Sequence, residues 1–351
     1  GATLSTKDGA PLITAGELYV GVGVARLLPP RISVDADGRG IAVDLERAPD
    51  GEWNIVRAFS AGKDGTGESA PPPSWLGAIA VTLHDGTVRV RGIADQPVVL
   101  SSVDGEALLE LGAPGRLTVE QLDARLGGAS ALSASGWLDL GAPSALDVRV
   151  DLHPLAAQDV RPLVPQLAGS AVLTGAIDVS GSLDAPDAVA HLASGPATLD
   201  LWAKSADVAA GTHVTASWQV LALDPAQLVA DAPPASLSGG GSVEVVLGDG
   251  WPTALAADAR LWSTSVAGVE AEWLTAQARR EGERILLDAQ LAAPGDAATV
   301  DLSSWIGVAD AHPAGAEVRF ALLQPGRLPD PLPGALADSE LRGRLVVNAD
   351  R

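Results

Sequence analysis

The amino-acid sequence predicts an all-β protein, and three observations carry that expectation. Apolar and polar residues alternate at period two in segments spread over the whole chain. Gly (39) and Pro (25) are frequent but follow no fixed period, so they punctuate many short elements. Helical periodicity with recognisable caps occurs in only two short stretches. With 351 residues, 47% hydrophobic and 19% charged, the chain falls outside the composition of disordered proteins.

The elements follow in order. Leu18, Val20, Val22 and Val24 alternate with other residues as a strand. Gly21-Val22-Gly23 lies inside it and is followed by Arg26, where a dinucleotide fingerprint needs Gly or Ala, so these glycines belong to the strand. Asp37-Gly38 is a two-residue hairpin signal. As a loop it sets Val34 opposite Ile41 and Ile32 opposite Val43. Asp85-Gly86 does the same for Leu83 with Val88 and Val81 with Val90. Residues 117–126 predict a short helix, with Thr118 and Gln121 as a capping box and Leu122 and Leu126 on one side. Residues 155–167 read as a second helical insert, held to a turn or two by Pro162 and Pro165.

The most regular alternation runs over residues 170–183, where Ala171, Leu173, Gly175, Ile177, Val179, Gly181 and Leu183 fall on one side of one or two strands. A third hairpin, with Gly282-Glu283 as its loop, pairs Ala278 with Leu287, Ala276 with Ala289 and Leu274 with Leu291. Val318, Phe320 and Leu322, then Leu341, Gly343, Leu345 and Val347, complete the series. A degenerate grammar of strand, Pro, short connector, Gly and strand recurs three times, around Pro154, Pro225 and Pro325.

Several function classes are excluded or disfavoured. Cys is absent, which removes disulfides, zinc-thiolate sites and Cys nucleophiles. There are 44 acidic and 23 basic residues, for a net charge of -21, and Lys occurs only at 7, 63 and 204. Nucleic acid and anionic membrane surfaces need clustered cations, so no nucleic-acid partner is expected. The one adjacent basic pair, Arg279-Arg280, reads as a solvated hairpin end. No apolar run reaches membrane-spanning length, and no secretory signal opens the chain. Met is absent, so the chain is expected to be a segment of a longer polypeptide.

No G-x-S-x-G, H-E-x-x-H or P-loop is present. Asp35-Ala36-Asp37-Gly38 starts like a calcium loop, but Arg39 and Gly40 supply no further ligands. His84, His153, His191, His213 and His312 are scattered, with no i, i+4 pair and no carboxylate at ligand spacing. No catalytic residue, metal site or cofactor is expected.

Gly169 to Pro186 reads G-S-A-V-L-T-G-A-I-D-V-S-G-S-L-D-A-P, a strand of small and branched residues ending in the corner Gly181-Ser182-Leu183-Asp184-Ala185-Pro186. This resembles the strand-turn units of the TamB/AsmA-like family of bacterial envelope proteins. Leu223-Asp224-Pro225 with its connector and Gly-led strand, and Gly136-Trp137-Leu138-Asp139-Leu140, are similar to the same family. The resemblance implies one continuous segment over residues 1–351, an elongated antiparallel sheet curled into a groove or β-taco. It also implies a periplasmic location, with an inner-membrane anchor at the N-terminal side and outer-membrane assembly machinery at the C-terminal side. The cargo it implies is phospholipid acyl chains, moved without chemistry.

Elementary energetics agree with such a role. Each methylene brought out of water gains about 0.8 kcal/mol, so a sixteen-carbon chain crossing water faces about 13 kcal/mol, which a continuous apolar trough removes. The expected groove residues are Ile79, Val81, Leu83, Val88, Val90, Leu173, Ile177, Val179, Leu183, Leu287, Leu291, Val318 and Phe320. Periodicity alone is equally compatible with these residues packing against a second sheet as a dry sandwich. Trp75, Trp137, Trp218, Trp262, Trp273 and Trp305 are candidates for groove rims or for ordinary packing.

Two other readings compete. A structural or adhesive β-solenoid, as in an autotransporter passenger, would carry strict rungs with Asn or Thr ladders, and Asn occurs only at 54 and 348. A β-helix enzyme acting on polysaccharide would need clustered carboxylates along an aromatic path.

Overall fold

The structure is a computed structural model that describes residues 2–5, 11–27, 30–48, 54, 76–94, 96–111, 115–128, 130–140, 144–162, 167, 171–208, 211–229, 232–247, 251–266, 269–308, 313–322 and 341–349. It is all-β, built of hydrogen-bonded strands with short helical inserts. No helix among the described residues is long and apolar enough to cross a membrane. The chain divides into two compact units, 1–183 and 184–351.

In the first unit the strands are β1 (Ala2–Ser5), β2 (Pro11–Leu27), β3 (Pro30–Glu46), β4 (Leu76–Arg91), β5 (Val98–Glu110), β6 (Arg116–Leu126), β7 (Ser130–Asp139), β8 (Ala145–Ala156) and β9 (Val172–Ser182). Each pairs with the next in sequence, antiparallel everywhere except β3 with β4, which run parallel. A parallel step needs a long connection, and 29 residues separate the end of β3 from the start of β4 in sequence. The mixed character of the sheet differs from the purely antiparallel expectation.

Two of the expected hairpins are absent. Asp37-Gly38 lies inside β3, which does not reverse there and pairs along β2 from Ile13↔Val43 to Leu27↔Pro30. Asp85-Gly86 lies inside β4, where the ladder to β5 slips between Leu83 and Val88. Asp85 takes φ 51°, and Ser102, at the matching slip in β5, takes φ 46°. The Asp85 amide donates to Asp104 Oδ1 at 3.1 Å. These are bulges, which insert one residue and bend the strand.

The helix expected at 117–126 is also a strand, β6, with a register shift between Val119 and Leu122. The helix expected over 155–167 exists only as α1 (Ala157–Val160), with Arg161 and Pro162 in a turn. Residues 163–166 lie outside the described residues. α1 contributes one buried residue, Ala157. Ala157 is fully buried, and its amide donates to Ala171 O at 2.9 Å. Ser130, also fully buried, donates to Asp159 Oδ2 at 2.6 Å and accepts from the Ala156 amide at 2.8 Å.

The second unit is an antiparallel meander of β10 (Ala185–Ser194), β11 (Ala197–Val208), β12 (Gly211–Leu223), β13 (Ala235–Leu247), β14 (Ala254–Val266), β15 (Val269–Glu281), β16 (Arg284–Ala292), β17 (Ala298–Gly307), β18 (Ala314–Leu322) and β19 (Leu341–Ala349). Here the third hairpin forms as read: Gly282, at φ 60°, and Glu283 are its loop, and Ala278↔Leu287, Ala276↔Ala289 and Leu274↔Leu291 face each other. α2 (Pro225–Leu228) follows β12 as α1 follows β8, so the strand–Pro–connector grammar corresponds to a recurring strand, one-turn helix and returning strand. Asp224 caps α2, accepting from the amides of Ala226 and Ala235, both at 3.1 Å. Around Pro325 the connector lies outside the described residues.

Candidate functional site

Residues directly opposite in a ladder share a side of the sheet, so the register shows which side chains meet. In the first unit one row runs Val20–Ala36–Val81–Ala107–Val119–Gly136–Val148–Val179 across eight strands. Its neighbour on the same side runs Leu18–Gly38–Leu83–Gly105–Leu122–Ala134–Val150–Ile177. Ile79 lies one row further along, opposite Leu109.

The bulges keep this side apolar where the alternation changes phase. Beyond Asp85, Val88 and Val90 face Leu100 and Val98, and Leu100 faces Leu126. Leu173 faces Leu155 beyond a similar shift in β8. Leu183 lies past the end of β9 and is 54% exposed.

The second unit repeats the arrangement. A row Leu201–Trp218–Gly241–Ala259–Ala276–Ala289–Leu302–Val318–Leu345 crosses nine strands. One flanking row contains Leu287, and the other contains Leu291 and Phe320. The expected lining residues Leu287, Leu291, Val318 and Phe320 therefore share one side.

Large rings on either side lie over glycines of the neighbouring strand, as Trp218 does over Gly241 and Phe320 over Gly343. A Cβ on Gly241 would stand 2.9 Å from the Trp218 indole. The glycine lets the ring lie flat, so the apolar surface stays low there.

Substantial contacts in each unit are confined to sequence-adjacent strands and the short helical turns that follow them. Among the described residues no second layer covers the apolar side. Val22 is 70% exposed and Val347 53%, which is uncommon for a contiguous apolar surface on a water-facing protein.

The opposite side carries the charges. Arg116 binds Asp139 at 2.7 Å across β6 and β7, and its guanidinium stacks 4.3 Å from the Trp137 ring. Arg149 bridges Asp151 and Asp178. In the second unit Arg279 reaches Glu281 and Asp288, and Arg284 stacks on Trp305 at 4.3 Å. Trp137 and Trp305 thus sit on the charged side, while Trp218 alone of these three is on the apolar one. Trp75 lies outside the described residues.

The histidines correct the sequence reading, because cross-strand neighbours give three of them carboxylates. His191 meets Asp200 at 2.7 Å, His213 meets Glu244 at 3.0 Å, and His84 stands 3.7 Å from Asp37 and 3.9 Å from Asp104. Local spacing carries no signal for such pairs. No group of three or more metal-ligating side chains is assembled among the described residues.

Glu317 is the most perturbed acid. Hydrogen bonds from Arg344 (2.7 Å) and Arg319 (2.6 Å) hold its carboxyl down at about 2. A carboxyl lowered on folding contributes stability that is complete above its unfolded value, near 4.5, and is lost as pH falls through about 2. Glu317→Gln is therefore expected to flatten the decline of the unfolding midpoint between about pH 4.5 and 2 relative to the parent chain. Urea titrations at stepped pH check this; parallel acid limbs would show that the pair adds nothing to the folded state.

Several recesses mark the described part of the second unit. One of 480 Å³ is bordered by Ala278, Ile285, Leu287, Ser304, Ala316 and Val347 among others. A second of 180 Å³ lies between Trp218, Val243, Ala257, Ala276 and the same Ala278 and Leu287. A third of 430 Å³ opens at the strand ends beside Glu244, Leu255 and Arg280. Of the residues read as groove lining, only Leu287 borders either of the first two. The sequence reading sets Ala278 opposite Leu287 and Ala276 opposite Ala289, and the ladder adds Ala257 and Ala259 beside them. Comparison with protein-family models, curated proteins and solved structures finds no match for this chain.

Proposed function

We propose that this chain is a non-enzymatic conduit that shields phospholipid acyl chains as they pass between the inner and outer membranes of a bacterial envelope. The observation that carries the reading is the apolar side itself, continuous across the strands of each unit and uncovered among the described residues. Hydrocarbon lying on such a surface leaves water at about 0.8 kcal/mol per methylene, and no bond needs to be made or broken. The charged opposite side suits an aqueous surrounding. In this reading the location is the periplasm, with an inner-membrane anchor on the N-terminal side and outer-membrane assembly machinery as partner on the C-terminal side.

The ladder favours a groove over an adhesive solenoid. Solenoid rungs stack in parallel and enclose their apolar side chains, whereas nearly every pairing here is antiparallel between sequence neighbours.

Native mass spectrometry of the chain purified from a Gram-negative host is expected to show bound phospholipid. A chain free of lipid that also extracts none from vesicles would overturn the proposal.

A further inference from the structure

Arg280 stands apart from its neighbours. Arg279 points to the charged side and is neutralised by Glu281 and Asp288. Arg280, one residue on, lies opposite Ile285 on the apolar side, at the end of the β15–β16 hairpin. Its Nε donates to Gly282 O at 2.9 Å and another guanidinium nitrogen donates to Pro252 O. Both acceptors are neutral carbonyls, so a half-buried cation is held in place with no carboxylate against it among the described residues. Glu244 borders the same recess but is engaged by His213.

Arg280 adjoins the 480 Å³ recess, because Ala278 and Ile285, its strand and ladder neighbours, both line it. The recess follows one ladder row, Ala278–Leu287–Ser304–Ala316–Val347, over five strands. At ~4.8 Å per strand that row is about 19 Å long, a little more than the ~15 Å that one leaflet of hydrocarbon occupies.

We infer that this is a phospholipid seat: the phosphodiester sits on Arg280, and one acyl chain lies along the row from Ala278 to Val347. The inference rests on the conduit reading and adds to it a fixed headgroup position. A planar guanidinium with donors to spare binds a phosphate through charge-assisted hydrogen bonds, and the carbonyls of Pro252 and Gly282 orient it without neutralising it.

The test compares binding of fluorescent phosphatidylglycerol and of diacylglycerol with identical chains to the whole protein. Arg280→Gln is expected to weaken phosphatidylglycerol binding about tenfold to a hundredfold, the range of one charge-assisted contact, and to leave diacylglycerol unchanged. Arg280→Lys should recover part of the loss. Leu287→Arg, which obstructs the row, should weaken both ligands. Equal phosphatidylglycerol binding by Arg280→Gln and the parent would overturn the headgroup seat while leaving the conduit intact. Absence of binding of either lipid to the parent chain would overturn the conduit reading itself. Circular dichroism of each variant separates loss of binding from loss of fold.

Discussion

Ile177→Arg is expected to reduce the phospholipid carried by the chain at least tenfold. Ile177 lies opposite Val150 on β9, in a row that continues through Ala134, Leu122 and Leu83. An Arg there sets a charge where hydrocarbon would lie, and charges on lipid-facing strands cost about 2 to 4 kcal/mol, or roughly thirtyfold to a thousandfold in occupancy. Ser180 on the same strand faces the other way, opposite Asp147. Ser180→Arg is therefore expected to leave lipid content unchanged and to gain a carboxylate neighbour. Quantitative lipid mass spectrometry of the two variants checks the sidedness. If both retain lipid, the apolar side of the first unit is not the carrying surface; if both lose it equally, the effect is on the fold.

The largest effect on stability is expected at Gly136. It holds φ 145°, a conformation that side-chain-bearing residues rarely adopt, in the middle of β7. A Cβ there would stand 2.2 Å from Asp147 O and 2.7 Å from Val148 Cα, both backbone atoms of β8. Neither can move without parting the ladder, so Gly136→Ala combines conformational strain with a steric clash and is expected to cost about 3 kcal/mol. Gly128, where an added Cβ meets nothing within 4 Å, serves as the control, and Gly128→Ala should change little. Urea unfolding followed by circular dichroism reads both. A parent-like midpoint for Gly136→Ala would mean that β7 and β8 are spaced more loosely than these distances require.

Gly136 also illustrates how a single-layer sheet keeps its stability. Few described side chains are buried; some gather at the helical turns, as with Ala157 and Ser130 in the first unit and Ala293, Ala297 and Ala298 in the second, and others, such as Leu12 in β2 and Val103 in β5, lie within strands. The ladder itself, together with salt bridges such as Arg149 to Asp178, carries the rest. Close backbone approach therefore matters more here than in a protein with a thick core.

The errors of the sequence reading have one common physical cause. A two-residue hairpin loop and a one-residue bulge both shift the parity of an alternating pattern by one, so Asp85-Gly86 looks like a reversal although β4 continues past it. At Asp37-Gly38 the alternation changes phase beside Gly40, at φ 60°, with no register shift to either neighbouring strand. Gly282-Glu283 has the same local signature and does reverse the chain. The bulge in β6 similarly turns Val119, Leu122 and Leu126 into a run with spacings of three and four, which imitates a helix.

By itself, the sequence determined that the chain is mainly β and which side chains in its clearest alternating segments are apolar, because period-two alternation is a local property of the extended backbone. Only the tertiary structure decided which strands lie side by side, that β3 and β4 run parallel, and that the alanines of β14 and β15 meet to form a recess beside Leu287. Those facts depend on pairing between residues far apart in the chain. They depend also on left-handed backbone at single positions such as Asp85, where the same two residues can turn a strand back or merely kink it.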